Sequence, residues 1–412
     1  MQFSQVIGQH DLKDQLTYMI QQNRLSHALL FLGKEGSGGL PMALAFAQYI
    51  TCEKNPLQTS RKKIVPAESS LFGDNAATED TTDNKSTDNF QDSCGVCSAC
   101  TKAAKMIHPD IHYCYPVIPR KVGDKPISTD YITEWRKFIN SNPYGNLFDW
   151  LQSIHAENKQ GNITSEECGD IIHKISLKSF ESSYKILIIW MPEMLGKNGN
   201  KLLKLIEEPP PDTLFILVAE NDALVLPTIL SRTQLIRIPM LHTDQIQVAL
   251  QDRENIEAQK AHQIAATAEG NYHEALQQLQ HADDDWEVLL RDWLNCIIKT
   301  GPAAQVKWIE EAAKLGREKQ KQFLKYFTHL LEQAIRLSIL PQALNENRNI
   351  AYPDFAIRIN KICDVSQQEA IAEELDKAAY YIERNANAKM LFHALTIRIY
   401  HIISNKSLIL IQ

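Results

Sequence analysis

The chain has 412 residues, 44% of them hydrophobic and 23% charged, with a formal net charge of -7. That length predicts two or three domains with real cores, in an ordinary globular composition. No apolar run approaches the roughly 18–20 residues of a transmembrane helix. The stretch Met1 to Val6 has neither the basic flank nor the apolar core of a secretory signal, so a cytoplasmic location is expected. Between 66 and 93, seven acids (Glu68, Asp74, Glu79, Asp80, Asp83, Asp88, Asp92) face one base, Lys85, which leaves the rest of the chain close to neutral.

Residues 10–23 carry apolar side chains at helical spacing (Leu12, Leu16, Met19, Ile20). From Arg24 to Leu32 the chain turns continuously apolar, which predicts a buried parallel strand. A glycine-rich turn follows, then a helix to Cys52, with Pro41 suited to its first turn. Strand, glycine turn and helix make the layout of a phosphate-binding loop. On the template G-x-x-x-x-G-K-[ST], Gly33 is first and Gly38 sixth, with Gly36 between them. The Lys and Ser/Thr that would neutralise the β/γ-phosphates and hold Mg²⁺ are replaced by Gly39 and Leu40. The loop has the shape of a nucleotide site without its chemistry, so no cofactor is expected there.

Residues 55–93 are rich in Ser, Thr, Asp and Asn and poor in large apolar side chains, which predicts a disordered insertion. Cys94-Gly-Val-Cys97-Ser-Ala-Cys100 comes next, a C-x-x-C-x-x-C run that points to a metal in a chain where disulfides are not expected. Cys168, Cys296 and Cys363 are isolated and read as core residues. A helix to about Met106 and a short strand within 108–116 are predicted, with Asp110 structural at the strand start. Helices are expected over 128–141 and 166–179, and a strongly buried strand over Tyr184 to Trp190. A hydrolysing site would end that strand in Asp-Glu. Here Trp190-Met191-Pro192-Glu193 follows, and Glu193 reads as an acid of a helix first turn. A short amphipathic helix within 198–211 is stopped by proline, and strands over 213–219 and 234–238 complete a mostly parallel α/β layer. Beyond Met240 the pattern is helical throughout, in seven segments from 241–280 to 388–404.

RLSHALLF before the glycine loop, C-x-x-C-x-x-C then His108-Pro-Asp110, NKLLKLIEEPP and LPTILSRT stand in the order they have in clamp-loader subunits of bacterial DNA polymerase III. The chain resembles that family, and within it the catalytically degenerate delta-prime branch. The resemblance implies an α/β AAA+ module over 1–239 with an inserted zinc module, a small helical lid over 240–281, and an all-α collar for oligomerisation over 282–412. It also implies tau/gamma and delta subunits as partners, with the sliding clamp and primed DNA reached through the complex. DNA binding without membrane contact is expected only in that setting.

Several departures bear on the role. Hydrolysing tau/gamma subunits keep the loop lysine and the Asp-Glu pair. This chain also has Glu220-Asn221 where the family's phosphate-sensing Thr stands, and His273 where a lid arginine reads the γ-phosphate. Ser231-Arg232-Thr233 matches the family's Ser-Arg-Cys motif, which implies that Arg232, with Ser231, acts as an arginine finger on ATP held by a neighbouring subunit. An arginine capping a helix C-terminus is the structural alternative. The family pattern of four cysteines implies a structural Zn²⁺ held by Cys52, Cys94, Cys97 and Cys100, despite 41 intervening residues after the first. His108, His112 and Cys114 are the substitutes if Cys52 is a buried apolar thiol. The expected function is a stator without intrinsic activity in clamp loading. The alternatives are an ATPase with an atypical site, whose loop offers only Lys34, and a zinc-dependent DNA-binding module, for which Lys102 and Lys105 are few bases.

Overall fold

Five strands form one parallel sheet: β1 Ala28–Leu32, β2 Ile111–Cys114, β3 Lys185–Trp190, β4 Thr213–Ala219 and β5 Gln234–Arg237, in the order β2-β3-β4-β1-β5. The computed structural model describes residues 1–55, 57, 92–121, 123–156, 159–280, 286–339, 353–383 and 386–405. The central strands are apolar at every position after Lys185 and Thr213, their first residues in β3 and β4, because both sheet faces are covered. Leu29 and Phe31 of β1, Ile186 and Ile188 of β3, and Ile216 and Val218 of β4 join one core. Their neighbours Leu30, Leu187, Ile189, Phe215 and Leu217 join a second core on the opposite face. The period-two alternation of side chains therefore feeds two separate layers.

Helices α1 His10–Gln21, α2 Gly39–Thr51, α3 Ser98–Ala104, α4 Ile132–Ser141, α5 Leu147–Ser153 and α6 Ser165–Ser176 precede β3. After it come a 3-10 stretch over Pro192–Leu202, α7 Leu203–Glu207 and α8 Pro227–Leu230. The expected helix from Asn198 is therefore 3-10 to Leu202 and α-helical over Leu203–Glu207, and the 3-10 stretch is broken ahead of it at Gly196, whose φ of 47° is not helical. The α6 helix stops at Ser176, three residues before its expected end. Helix α5 was not anticipated. Its Trp150 donates Nε1–H to Pro116 O at 2.7 Å and is fully buried beside Trp135.

The chain falls into two units, Met1–Leu276 and Gln277–Gln412. The first adds α9 Thr243–Glu254 and α10 Ala258–Thr267 and enters α11 Tyr272–Gln280. The second consists, among the described residues, of helices including α12 Trp286–Asn295, α13 Pro302–Ala312, α14 Arg317–Ile339, α15 Pro353–Ile362, α16 Val365–Glu383 and α17 Ala388–Asn405. Its core centres on Trp293 and Trp308, stacked at 4.7 Å, with Phe323, Phe327 and Phe392 around them. A parallel sheet of this kind with a helical C-terminal part fits a P-loop, AAA+ type fold. No described helix is long and apolar enough to cross a membrane.

The insertion expected over 55–93 lies mostly outside the described residues, but its ends do not. Asn55 is fully buried and donates Nδ2–H to Tyr49 O at 2.8 Å. Asp92 accepts from the backbone N–H groups of Phe3 and Ser4, each at 2.9 Å. Both residues belong to the folded domain because each satisfies backbone groups that would otherwise lack partners.

Candidate functional site

In a parallel sheet, ligands bind beyond the carboxyl ends of the strands, where loops and helix N-termini converge. The phosphate-like loop leaves β1 there. Its first glycine, Gly33, donates to Ala219 O of β4 at 3.1 Å. Gly36 and Gly38 have φ of 71° and 95°, a left-handed backbone that a side chain would oppose. The next residues complete the degeneration seen in sequence. Leu40 is 4% exposed and belongs to the core. A Cβ on Gly39 would lie 3.1 Å from Val218 Cγ1.

The glycines of the loop pack against residues distant in the chain. A Cβ on Gly36 would collide with the Asn271 side chain, and one on Gly38 would lie 3.1 Å from the Tyr144 ring. The backbone N–H of Tyr272 donates to Gly36 O at 3.3 Å, and the Tyr272 and Tyr144 rings meet edge to face at 5.0 Å. His273, which follows, is 2% exposed. Its Nδ1 meets Glu35 Oε1 of the loop at 2.9 Å, and its Nε2 meets Asp149 Oδ2 of α5 at 2.7 Å. Burial alone would lower the imidazole pKa, but the hydrogen bonds to Asp149 and Glu35 outweigh it and raise it to about 10. With a carboxylate on each nitrogen, both ring nitrogens donate, so the group is an imidazolium. A cation therefore does sit near the loop, neutralised by two carboxylates and not by phosphate.

The end of β3 carries Trp190 and Met191 in place of an Asp-Glu pair. Trp190 is 3% exposed and packs 5.2 Å from Trp135, and Met191 follows in a left-handed conformation with φ 57°. Glu193, in the first turn of the 3-10 stretch, accepts from the backbone N–H groups of Glu220 and Asn221 at 2.7 and 2.9 Å. Burial raises its pKa. Its carboxylate ties the end of β3 to the end of β4.

Arg232 follows α8. Its Nε lies 3.2 Å from Glu207 Oε2, and its Nη1 donates to Thr228 O at 3.0 Å and to Ser231 Oγ at 3.3 Å. The capping contact foreseen as the structural alternative is thus present, since Thr228 O is a helix-terminal carbonyl. The side chain keeps about a third of its surface exposed, at 32%.

The four cysteines Cys52, Cys94, Cys97 and Cys100 come together, with all four Sγ atoms within 4.8 Å of one another and Cys94 and Cys100 at 3.9 Å. A tetrahedral thiolate site with metal–sulfur distances of about 2.3 Å requires sulfur–sulfur separations of about 3.8 Å. The residues fit such an ion. Backbone N–H groups already point at the sulfurs: Cys94 N to Cys52 Sγ, Cys97 N to Cys94 Sγ and Cys100 N to Cys97 Sγ, each at 3.4 Å. These charge-assisted contacts favour thiolates. A hydrogen bond from the Cys100 thiol holds Cys52 down at about 5, and the same contact pushes Cys100 up. Cys114 is buried in β2, His112 lies on the same strand, and His108 Nδ1 accepts from Asp110 N at 3.2 Å, so the substitutes stand apart from this group. Asp110, just before β2, accepts the backbone N–H groups of Phe180, Glu181 and Ser182 at 2.5, 2.8 and 2.7 Å. Cys168 and Cys363 are buried, and Cys296 is partly so.

Sequence reasoning missed Glu35, Asp149, Asn271 and Tyr144. Each is far in sequence from the groups it meets, and no local spacing announces them.

Among characterised proteins, the tau subunit of DNA polymerase III from Bacillus subtilis is 23% identical over 337 residues, covering 80% of this chain and 46% of that protein. The delta-prime subunit of the same organism is 25% identical over 215 residues, covering 52% of this chain and 43% of that protein. The chain thus spans less than half the length of these relatives. A solved DNA polymerase III gamma-subunit-related protein from Thermotoga maritima aligns over 94% of this chain and 98% of its own, at 13% identity and a TM-score of 0.39. The model of the family described as DNA polymerase III, delta subunit, matches residues 8–66 and 76–242. That match takes in more than half the chain, including the phosphate-like loop, the C-x-x-C-x-x-C run and the turn at Arg232, and this chain belongs to that family of clamp-loader subunits.

Proposed function

We propose that this chain is a delta-prime-type stator of a DNA polymerase III clamp loader, working in the cytoplasm without hydrolysing nucleotide itself. The observation that carries this reading is the phosphate-like loop, which lacks its lysine and hydroxyl at Gly39 and Leu40 and meets Asn271, Tyr272 and His273 instead. A loop with neither phosphate-neutralising charge nor a Mg²⁺ ligand cannot support phosphoryl transfer. The mechanical reading gives the AAA+ module residues 1–239, the lid 240–281 and the collar 282–412.

In this reading ATP is bound by a neighbouring tau/gamma-type subunit, and Arg232 reaches it in trans. The delta subunit engages the clamp, and the clamp is loaded on primed DNA by the whole complex. Arg232 would exchange Glu207 and the Thr228 carbonyl for phosphate oxygens as negative charge builds in the transition state. Ser231 positions the guanidinium through its 3.3 Å contact. Cys52, Cys94, Cys97 and Cys100 would hold a structural Zn²⁺, which as a closed four-thiolate site contributes to folding and supplies no catalysis.

The test is the DNA-dependent ATPase of the reconstituted clamp loader carrying Arg232→Ala. Loss of an arginine finger lowers turnover by roughly 10³-fold or more, with assembly retained in gel filtration. Full hydrolysis and loading with Arg232→Ala would leave the residue as the α8 cap alone.

A further inference from the structure

A cleft of about 620 Å³ opens between the loop after β2, one face of α4 and the C-terminal end of α5. It contributes nothing to the loop, the thiolate cluster or the Arg232 turn. Its floor is apolar: Ile118 and Phe138 are 5% and 4% exposed, and Ile154 is half-buried. Its rim is cationic, formed by Arg120, Lys137, His155 and Lys159.

Those charges are not equally engaged. Arg120 lies 4.4 Å over the Tyr131 ring, donates to Asp130 O at 2.7 Å and pairs with Glu134 at 3.3 Å. Arg120 and Glu134 therefore cancel. The side chains of Lys137, His155 and Lys159 make no hydrogen bond or ion pair with any described residue, and all three are exposed. Among the described residues, Glu134 is the one acid that lines the cleft. A net positive rim with two free ammonium groups thus surrounds an apolar floor.

His155 adds a second, independent observation. It closes α5 with φ 57°, donating its backbone N–H to Gln152 O at 2.9 Å while Ala156 N donates to Leu151 O at 2.8 Å. That paired closure is the one for which glycine is the favoured residue. A histidine there accepts a conformational cost that places an imidazole on the rim, and such outliers concentrate at ligand sites.

We propose that this cleft docks a short acidic peptide segment of a partner protein, with an apolar side chain on Ile118, Phe138 and Ile154 and carboxylates on Lys137 and Lys159. An apolar floor with a few convergent polar groups suits a peptide anchor. Single-stranded nucleic acid fits less well, because it binds on exposed aromatic faces along a basic track. Here Tyr131 and Phe138 are each 4% exposed, and the Tyr131 ring is covered by Arg120.

The full chain would be titrated into three dye-labelled probes at low salt, followed by fluorescence anisotropy. The probes are a peptide with leucine and phenylalanine between glutamates, its lysine-substituted counterpart, and an oligothymidylate of similar length. The acidic peptide binds and the basic one does not. Lys137→Glu with Lys159→Glu weakens it by roughly tenfold or more, since each reversal turns an attractive surface pair into a repulsive one. Ile154→Asp weakens it too, with the rim charges intact. Circular dichroism melts of each variant confirm a folded chain. Absence of acidic-peptide binding, or binding unmoved by the lysine reversals, overturns the proposal. Tighter binding of oligothymidylate that those same reversals abolish makes the cleft a nucleic-acid site and overturns it as well.

Discussion

His273 illustrates how one residue can change the meaning of a site. Its imidazolium is shared between Glu35 and Asp149, with Asn142 Nδ2 also donating to Asp149 Oδ2 at 2.8 Å. Removing the cation leaves two partly buried carboxylates without their shared partner. His273→Ala should therefore destabilise the first unit by about 3 kcal/mol, read from denaturant unfolding. The pH dependence has a definite sign. The folded pKa, about 10, lies above the unfolded value of 6.5, so the native state binds the proton more tightly. The contribution is complete below pH 6.5 and is lost as pH rises through 10. Wild-type and His273→Ala stabilities should accordingly converge across that interval, and parallel curves from neutral to alkaline pH would dismiss the ion pair. Cys52 permits a comparable test. Purified protein should carry one Zn²⁺ per chain by elemental analysis, and Cys52→Ser should lower that occupancy and the melting temperature together. Full zinc occupancy in Cys52→Ser would place the fourth ligand elsewhere.

At the scale of elements, the strands were the most legible part of the chain. Ala28 to Leu32 and Leu214 to Ala219 are apolar at every position, and both lie in the centre of the sheet. The glycine pattern after β1 was legible for the same reason, because Gly36 and Gly38 need a backbone that few other residues adopt. The three clustered cysteines declared themselves by spacing, whereas Cys52 could be joined to them only through family likeness. What closes the loop was hidden. Asn271 packs against Gly36 from 235 positions away in a contact that leaves no periodic trace. This gives a sharp expectation for an attempted repair. Gly39→Lys with Leu40→Thr restores the motif on paper, yet it crowds Val218 and removes an apolar core side chain, which costs about 2 kcal/mol. Nucleotide-dye binding should remain absent while the melting temperature falls. Tight ATP binding by that double variant would show that sequence alone, and not the packing of Asn271 and Tyr272, keeps the site inactive.

On the scale of the molecule, two separate sets of buried aromatics organise two units. Tyr115, Trp135, Trp150 and Trp190 serve the first, and Trp293, Trp308 and Phe323 the second. The change from strand–helix alternation to continuous helix near Met240 was readable from hydrophobic period. The point of division at Leu276 was not, because helical periodicity runs on through it. Within the first unit, α9, the turn before it and α11 are fastened to the sheet domain by polar contacts. Arg253 Nη2 donates to Gln5 O at 2.5 Å, Gln9 Nε2 donates to Pro239 O at 2.7 Å, and His273 adds its pair of carboxylates. A module built this way holds one arrangement without a nucleotide to order it, which the proposed stator role requires.

The two ends of the insertion offer a separate consequence. Cys52 Sγ receives the Cys94 N–H, and Gln48 Nε2 donates to Ser93 Oγ at 3.0 Å, so the chain leaves and re-enters the domain at neighbouring points. Such a junction works as a socket, since whatever is plugged between its contacts places no strain on the domain as long as its own termini are adjacent. A fluorescent protein substituted for residues 58–91 should leave the melting temperature within a few degrees of wild type and the zinc content unchanged. That insertion would give the chain an internal optical label beside the four-cysteine cluster.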